Sequence, residues 1–117
     1  MANSMQEGQD RRRAKRIKKT LHVQCRPFDT TAAWISVVVQ DISEGGMNVL
    51  AAREFAIGEE LDIKITTFLR FKPINVLGKV VSRQRHPSKR IMWTIRISFT
   101  KIYEEEKQIF HEYIQAL

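Results

Sequence analysis

Apolar and polar residues alternate along most of this chain, first at Leu21, Val23 and Cys25, which polar residues separate. A period of two places successive side chains on opposite faces, so this pattern predicts a half-buried β-strand. Five further stretches combine alternation or β-branched residues with flanking turn residues. They predict strands within residues 34–42, 47–51, 61–66, 74–86 and 91–99, the last with Ile91, Trp93, Ile95, Ile97 and Phe99 on one face. Gly78, inside the longest stretch, indicates a bulge or a bend.

The period changes only in the last stretch, residues 101–117. Its apolar residues recur at helical spacing and form one stripe, at Ile102, Ile109, Phe110, Tyr113, Ile114 and Leu117. Thr100 is the predicted N-cap of this helix. Six short strands at hairpin spacing, followed by one helix, predict an all-β fold with a C-terminal helix. The expected architecture is a small antiparallel β-barrel of six to seven strands.

Positive charge is concentrated in one segment near the start of the chain. Residues 11–19 read RRRAKRIKK and contain seven Lys or Arg residues. The formal net charge of the whole chain is +7, so the remaining residues nearly balance. A short basic arm favours a local anionic partner over a broad polyanion-binding face. Residues 1–10 are polar and without periodicity, and they are predicted to be a disordered tail.

The sequence lacks the residues that characterise several other classes of protein. No apolar run approaches the roughly 18 residues of a membrane helix, and the N-terminus lacks a signal-peptide core, so we expect a cytoplasmic protein without a membrane span. The single cysteine, Cys25, excludes an internal disulfide and is interpreted as a buried thiol. Without Cys pairs, clustered His or a nucleophile beside a base, we expect no metal, no cofactor and no enzymatic activity.

A candidate site lies in the turn after the second predicted strand, where residues 41–46 read DISEGG. An aspartate ends the strand, a serine follows two residues later, and two glycines permit a close backbone approach. This composition alone is common in turns. Here it occurs together with Arg12 and Arg16, which lie four residues apart just before the first strand.

The two motifs together resemble the PilZ domain family, the bacterial receptor modules for cyclic di-GMP. The family pattern is RxxxR followed by (D/N)xSxxG, and this sequence matches it at Arg12, Arg16, Asp41, Ser43 and Gly46. The stretches EGGMNV, GKVVSR and IRISF agree with the family as well. The resemblance covers residues 11–117, and it implies an arm at residues 11–19, a barrel at residues 20–100 and a helix at residues 101–117.

The resemblance also implies a role for each motif residue toward cyclic di-GMP, which offers two phosphates and two guanines. Arg12 and Arg16 suit phosphate oxygens and guanine O6 and N7, because the guanidinium fork pairs bidentately. Asp41 accepts hydrogen bonds from guanine N1–H and N2–H₂, which arginine cannot do. Ser43 is expected near phosphate or arginine.

Further positions complete the predicted site. Gly45 and Gly46 are expected where the backbone comes close to the ligand. Trp93 is a candidate for stacking on a base, although tryptophan in an alternating strand more often packs in the core. Arg11 directly precedes the RxxxR motif, and the resemblance implies that an arginine there holds a second, stacked copy of the ligand.

The function implied by the resemblance is a receptor whose arm orders on the ligand and whose changed surface regulates an unidentified downstream protein. The family's outputs include motility, pili, exopolysaccharide synthesis and virulence, and the sequence does not choose among them. Two alternatives stay open. A nucleic-acid-binding barrel with a basic arm explains the charge, but Asp41 would repel phosphate. An interaction module of the same fold that binds no nucleotide would not need complete motifs.

Overall fold

A computed structural model describes the backbone of residues 15–16 and all of residues 21–117. The predictions for the tail at residues 1–10 and for the rest of the basic arm lie outside the described residues. The strands, in chain order, are β1 Lys15–Arg16, β2 Val23–Pro27, β3 Ile35–Ile42, β4 Gly46–Ala51, β5 Glu60–Ile65, β6 Ile74–Arg85 and β7 Trp93–Ile102. A 3₁₀ turn, Glu104–Glu106, leads into one α-helix, α1 Lys107–Ala116.

Strands β2 to β7 form a closed antiparallel barrel of six strands in the order β3, β2, β5, β6, β7, β4, and the pairing of β4 with β3 closes it. β2 pairs with the first residues of β3, whereas β1 pairs with Asp41 and Ile42 at its end. Closure pairs each of these six strands with two neighbours. The predicted fold, an antiparallel barrel of six to seven strands with a C-terminal helix, is confirmed.

The barrel interior follows the alternation in the sequence. In β5, for example, Leu61, Ile63 and Ile65 are buried, and the residues between them are half-buried. The irregularity predicted at Gly78 is confirmed, because the register between β6 and β7 shifts there. A Cβ atom at Gly78 would lie 2.6 Å from Cγ2 of Ile97 and 2.8 Å from Cδ1 of Ile63. Glycine thus allows inward side chains of neighbouring strands to meet across β6.

The C-terminal helix is shorter than its sequence pattern predicts. Residues 101–102 still belong to β7 because they continue its ladder with β6, and Thr100 lies inside that strand rather than at a helix N-cap. The helix places Phe110, Tyr113 and Ile114 in the core, as the apolar stripe predicts. No helix within residues 21–117 is long and apolar enough to cross a membrane.

Two single residues show where the alternation holds and where it fails. Cys25 is fully buried, and burial raises the pKa of its thiol to about 12, so the thiol stays protonated and unreactive at neutral pH. Ile91 was predicted on the inward face of the last strand. It lies instead in the turn before β7 and is 77% exposed, so that prediction is wrong.

Candidate functional site

The residues of the DxSxxG motif line one open cavity beside the turn between β3 and β4. Its volume is about 390 Å³, within the range of ligand pockets. Strands β3, β4, β6 and β7 and the turn all contribute to it. The lining residues are Asp41, Ser43, Gly45, Gly46, Met47, Asn48, Val81, Arg96, Ile97 and Ser98.

A β-bulge in β3 turns Asp41 toward this cavity. The pairing of β3 with β4 shifts its register between Val39 and Asp41, so β3 holds one extra residue. Val37 is buried, and strict alternation from it would point residue 41 into the core. After the bulge Ile42 is buried instead, and Asp41 lies half-buried on the outer side. The bulge therefore keeps a carboxylate out of the apolar core and places it at the cavity.

Asp41 belongs to a row of polar residues that crosses four neighbouring strands. Its register partner in β4 is Asn48, whose own partner in β7 is Arg96. On the other edge of β3, the backbone of Arg16 in β1 lies opposite Asp41. The pairing of β1 with β3 therefore brings the backbone of Arg16, the last residue of the RxxxR motif, next to Asp41, the first residue of the DxSxxG motif.

Hydrogen bonds connect three members of this row. Nδ2 of Asn48 donates to Oδ1 of Asp41 at 3.0 Å and to Oδ2 at 3.1 Å. Nε of Arg96 donates to Oδ1 of Asn48 at 3.3 Å. Each end of the amide thus faces a complementary group, since the carboxylate accepts and the guanidinium donates. Within residues 21–117, Arg96 forms no ion pair with a carboxylate, and its side chain is exposed at the cavity.

The turn after Asp41 is held by hydrogen bonds among its own residues and by one hydrogen bond from β7. The backbone N–H of Ser43 donates to the carbonyl of Gly46 at 2.9 Å, and that of Gly45 donates to Oγ of Ser43 at 3.3 Å. The N–H of Phe99 in β7 donates to the carbonyl of Gly45 at 2.9 Å. The Ser43 hydroxyl therefore shapes the turn in addition to lining the cavity.

The two glycines of the turn have different surroundings. A Cβ atom at Gly46 would lie 2.3 Å from the carbonyl oxygen of Ile97 and 3.2 Å from Cα of Ser98. At Gly45, by contrast, a Cβ atom would have nothing within 4 Å. Gly46 therefore lies against the backbone of the neighbouring strand β7. The approach of Gly45 and Gly46 to a ligand stays a prediction.

The same turn contacts the C-terminal helix. Oε2 of Glu44, in the turn, lies 2.5 Å from Nδ1 of His111 in α1, and both side chains are exposed. Phe99, whose amide binds the turn, packs edge-on against Phe110 of α1 with ring centroids 5.5 Å apart. A displacement of the turn would therefore alter contacts of α1 directly.

The structure brings together most of the predicted site residues that it describes. Asp41, Ser43, Gly45 and Gly46 share the cavity, and the backbone of Arg16 lies next to them. Arg11 and Arg12 lie outside the described residues.

Trp93 is not among the residues that line this cavity. It opens β7, and its ring lies against the guanidinium groups of Arg85 and Arg83, at 4.5 and 5.7 Å from the ring centroid. The structure thus places Trp93 in a cation–π cluster at the start of β7, whereas residues 96–98 of this strand border the cavity. The role of Trp93 in stacking on a base stays a prediction.

Asn48 and Arg96 line the cavity but are not among the site residues predicted from the sequence. Both follow the alternation of their strands and point outward, which was visible from their buried neighbours Met47, Val49 and Ile97. Their meeting with Asp41 depends on strand register, and no local pattern carries that information.

Comparison with known proteins identifies a family and a shared fold. The family model of the PilZ domain matches residues 10–116. Among solved structures, the chain is similar to the Bacillus subtilis inhibitor of motility (MotI/DgrA), with a TM-score of 0.67 and 22% identity over 91% of this chain. The chain spans only 50% of that protein. It is also similar to the PilZ domain with c-di-GMP of YcgR from Escherichia coli, with a TM-score of 0.62, 18% identity and coverage of 92% of this chain and 91% of that one. No curated protein matches the chain.

Proposed function

Because this chain belongs to the PilZ domain family, we propose that it is a receptor for cyclic di-GMP, bound at the cavity beside Asp41. The observation that carries the proposal is the pairing of β1 with β3, which sets the backbone of Arg16 opposite Asp41. This pairing supports a single site to which both motifs contribute. The YcgR domain of similar fold, solved with c-di-GMP, supports the choice of ligand.

The ligand chemistry divides between the two motifs. Asp41 offers acceptors for guanine N1–H and N2–H₂, and an adenine has no such pair of donors. Arg12 and Arg16 offer guanidinium forks for phosphate oxygens and for the guanine edge that carries O6 and N7. Arg96 adds an exposed guanidinium on the β7 side of the cavity. Cation and carboxylate side by side suit a ligand that is anionic and also donates hydrogen bonds.

PilZ domains are ligand-binding effector modules, and the proposed output is a changed protein surface rather than a reaction. Ligand at the cavity would engage the turn that contacts α1 through Glu44 and His111. Ordering of the arm over the ligand and adjustment of α1 would then alter the surface offered to a downstream protein in the cytoplasm. Such a change can shift the partner's equilibrium only by the ligand's differential affinity for the two states.

An equilibrium titration with two cyclic dinucleotides tests this function. Cyclic di-GMP is expected to bind at least roughly tenfold more tightly than cyclic di-AMP, because a hydrogen bond to a charged group contributes about 1.5–3 kcal/mol. The Asp41→Ala variant is expected to lose this preference. Equal affinity of the wild-type protein for the two nucleotides would contradict the assignment of Asp41 as the guanine reader.

The saturation point of the same titration tests the number of ligands. We propose that two stacked copies bind per chain and that Arg11 contacts the outer one, since a stacked pair presents four phosphates. Arg11→Leu is therefore expected to saturate at one ligand per chain, and Arg13→Leu, a matched loss of charge outside the motif, at two. The titrations are run at one salt concentration because ionic strength weakens arginine–phosphate contacts. Saturation of the wild-type protein at one ligand would exclude the stacked pair, and two ligands on Arg11→Leu would exclude the role of Arg11.

A further inference from the structure

Asn48 occupies the place in front of Asp41 that a guanine would need. Its Nδ2 lies 3.0 and 3.1 Å from the two carboxylate oxygens. A donor that is hydrogen-bonded to both oxygens at nearly equal distances lies in front of the carboxylate, close to the plane that bisects the two oxygens. A guanine that donates N1–H to one oxygen and N2–H₂ to the other places its edge on the same bisector. The amide of Asn48 and the guanine edge therefore exclude each other.

The contact is held in place from two sides. Asn48 and Asp41 are register partners in the ladder between β4 and β3, so their Cα positions are fixed by backbone pairing. Arg96 donates to Oδ1 of Asn48 at 3.3 Å, which fixes the orientation of the amide. A flipped amide would set its oxygen against the carboxylate and its NH₂ against the guanidinium, and both contacts would be repulsive.

We infer that Asn48 is an internal competitor of the guanine base and sets the affinity of the site. This inference rests on the proposed function, in which Asp41 reads the guanine edge. In the free protein the Asn48 amide satisfies the Asp41 carboxylate in place of the ligand. When the ligand binds, Asn48 must release Asp41, and the guanine donors replace it. The hydrogen bonds gained from the ligand are thus offset by those lost from Asn48.

This mechanism predicts that removing the side chain strengthens binding. In Asn48→Ala, the competitor for Asp41 is water rather than a fixed amide, and the ligand no longer has to break the Asn48 contacts. The expected change is a threefold to tenfold lower dissociation constant for cyclic di-GMP, on the order of one hydrogen bond exchanged against water. A residue that merely supported the site would weaken binding when removed, so the sign of the change separates the two roles.

A double-mutant cycle makes the test specific for the contact. Asn48→Ala is combined with Asp41→Ala, and cyclic di-GMP affinity is measured for the wild-type protein, both single variants and the double variant. The gain from Asn48→Ala should vanish when Asp41 is absent. Asn75→Ala is the matched control, because Asn75 is an exposed asparagine on β6 that does not line the cavity. Its affinity should equal that of the wild-type protein.

The side-chain amide of Asn48 provides a second readout in the unmodified protein. Its ¹H–¹⁵N resonance is expected to move when cyclic di-GMP is added, because its acceptor is lost. An unmoved resonance at saturation, or an Asn48→Ala variant that binds equally or more weakly, would overturn the inference while leaving the receptor function intact. If neither the wild-type protein nor Asn48→Ala binds cyclic di-GMP, the proposed function itself is wrong, and this inference falls with it.

Discussion

Replacing Gly46 with alanine is expected to lower the free energy of unfolding by about 3 kcal/mol, at the upper end of the cost of overpacking. The added Cβ atom would lie 2.3 Å from the carbonyl oxygen of Ile97, and a backbone group in a closed barrel cannot rotate away as a side chain can. Strand β4 begins at Gly46, so relief of the clash would separate β4 from β7 at the edge of the cavity. Ligand binding should therefore fall together with stability.

Gly45→Ala is the matched control for this prediction. The added methyl group meets nothing within 4 Å, and the backbone of Gly45 is not in the left-handed region. Alanine should then be neutral or stabilise by about 0.4–1 kcal/mol through the unfolded chain. Urea unfolding of the two variants measures the difference. Similar stabilities would show that the approach of β4 to β7 does not require glycine.

Replacing Arg70 with methionine is expected to destabilise the protein by about 3–5 kcal/mol, because it leaves a buried carboxylate without its cation. Nη2 of Arg70 contacts Oε1 of Glu106, whose side chain is only 8% exposed. The same guanidinium donates to the carbonyls of Lys72 and Pro73, at 3.0 Å each. The ion pair therefore fastens the loop between β5 and β6 to the 3₁₀ turn that precedes α1.

Two further variants test whether the expected loss of stability comes from a buried carboxylate that is left unpaired. Lys107→Met removes the cation of an exposed pair with Glu104, whose side chain is 87% exposed, and should cost at most about 0.5 kcal/mol. Adding Glu106→Leu to Arg70→Met should recover much of the lost stability, since no unpaired charge then stays buried. Chemical unfolding of all three proteins measures these differences. Equal losses in Arg70→Met and Lys107→Met would contradict the importance of burial.

The barrel was predictable because alternation is a local property of each strand. The inward residues of β5 and β6 can be identified one strand at a time, and the turn residues between strands set hairpin spacing. The end of β7 was not predictable in this way. Residues 101–102 suit either a strand or a helix, and their pairing with β6 decides between the two.

The candidate site was predictable only in part, because some of its residues meet only through the pairing of different strands. Residues 41–46 form a contiguous motif, and the structure places its named residues at one cavity. Asn48 and Arg96 join Asp41 through the register of three strands, and the bulge before Asp41 determines which side it faces. Trp93 also shows the effect of register, because its pairing with Arg85 sets its ring 4.5 Å from that guanidinium, which its own strand pattern does not reveal.

The central claim is that two motifs, brought together by the pairing of β1 with β3, form one cyclic di-GMP site. Calorimetric titration of the wild-type protein, Arg16→Ala and Arg13→Ala with cyclic di-GMP tests it most directly, since both variants lose one arginine from the same basic run. The predicted result is saturable binding to the wild-type protein, a loss of at least roughly 1.5–3 kcal/mol in Arg16→Ala and little change in Arg13→Ala. Equal losses in the two variants, or no saturable binding by the wild-type protein, would contradict the claim.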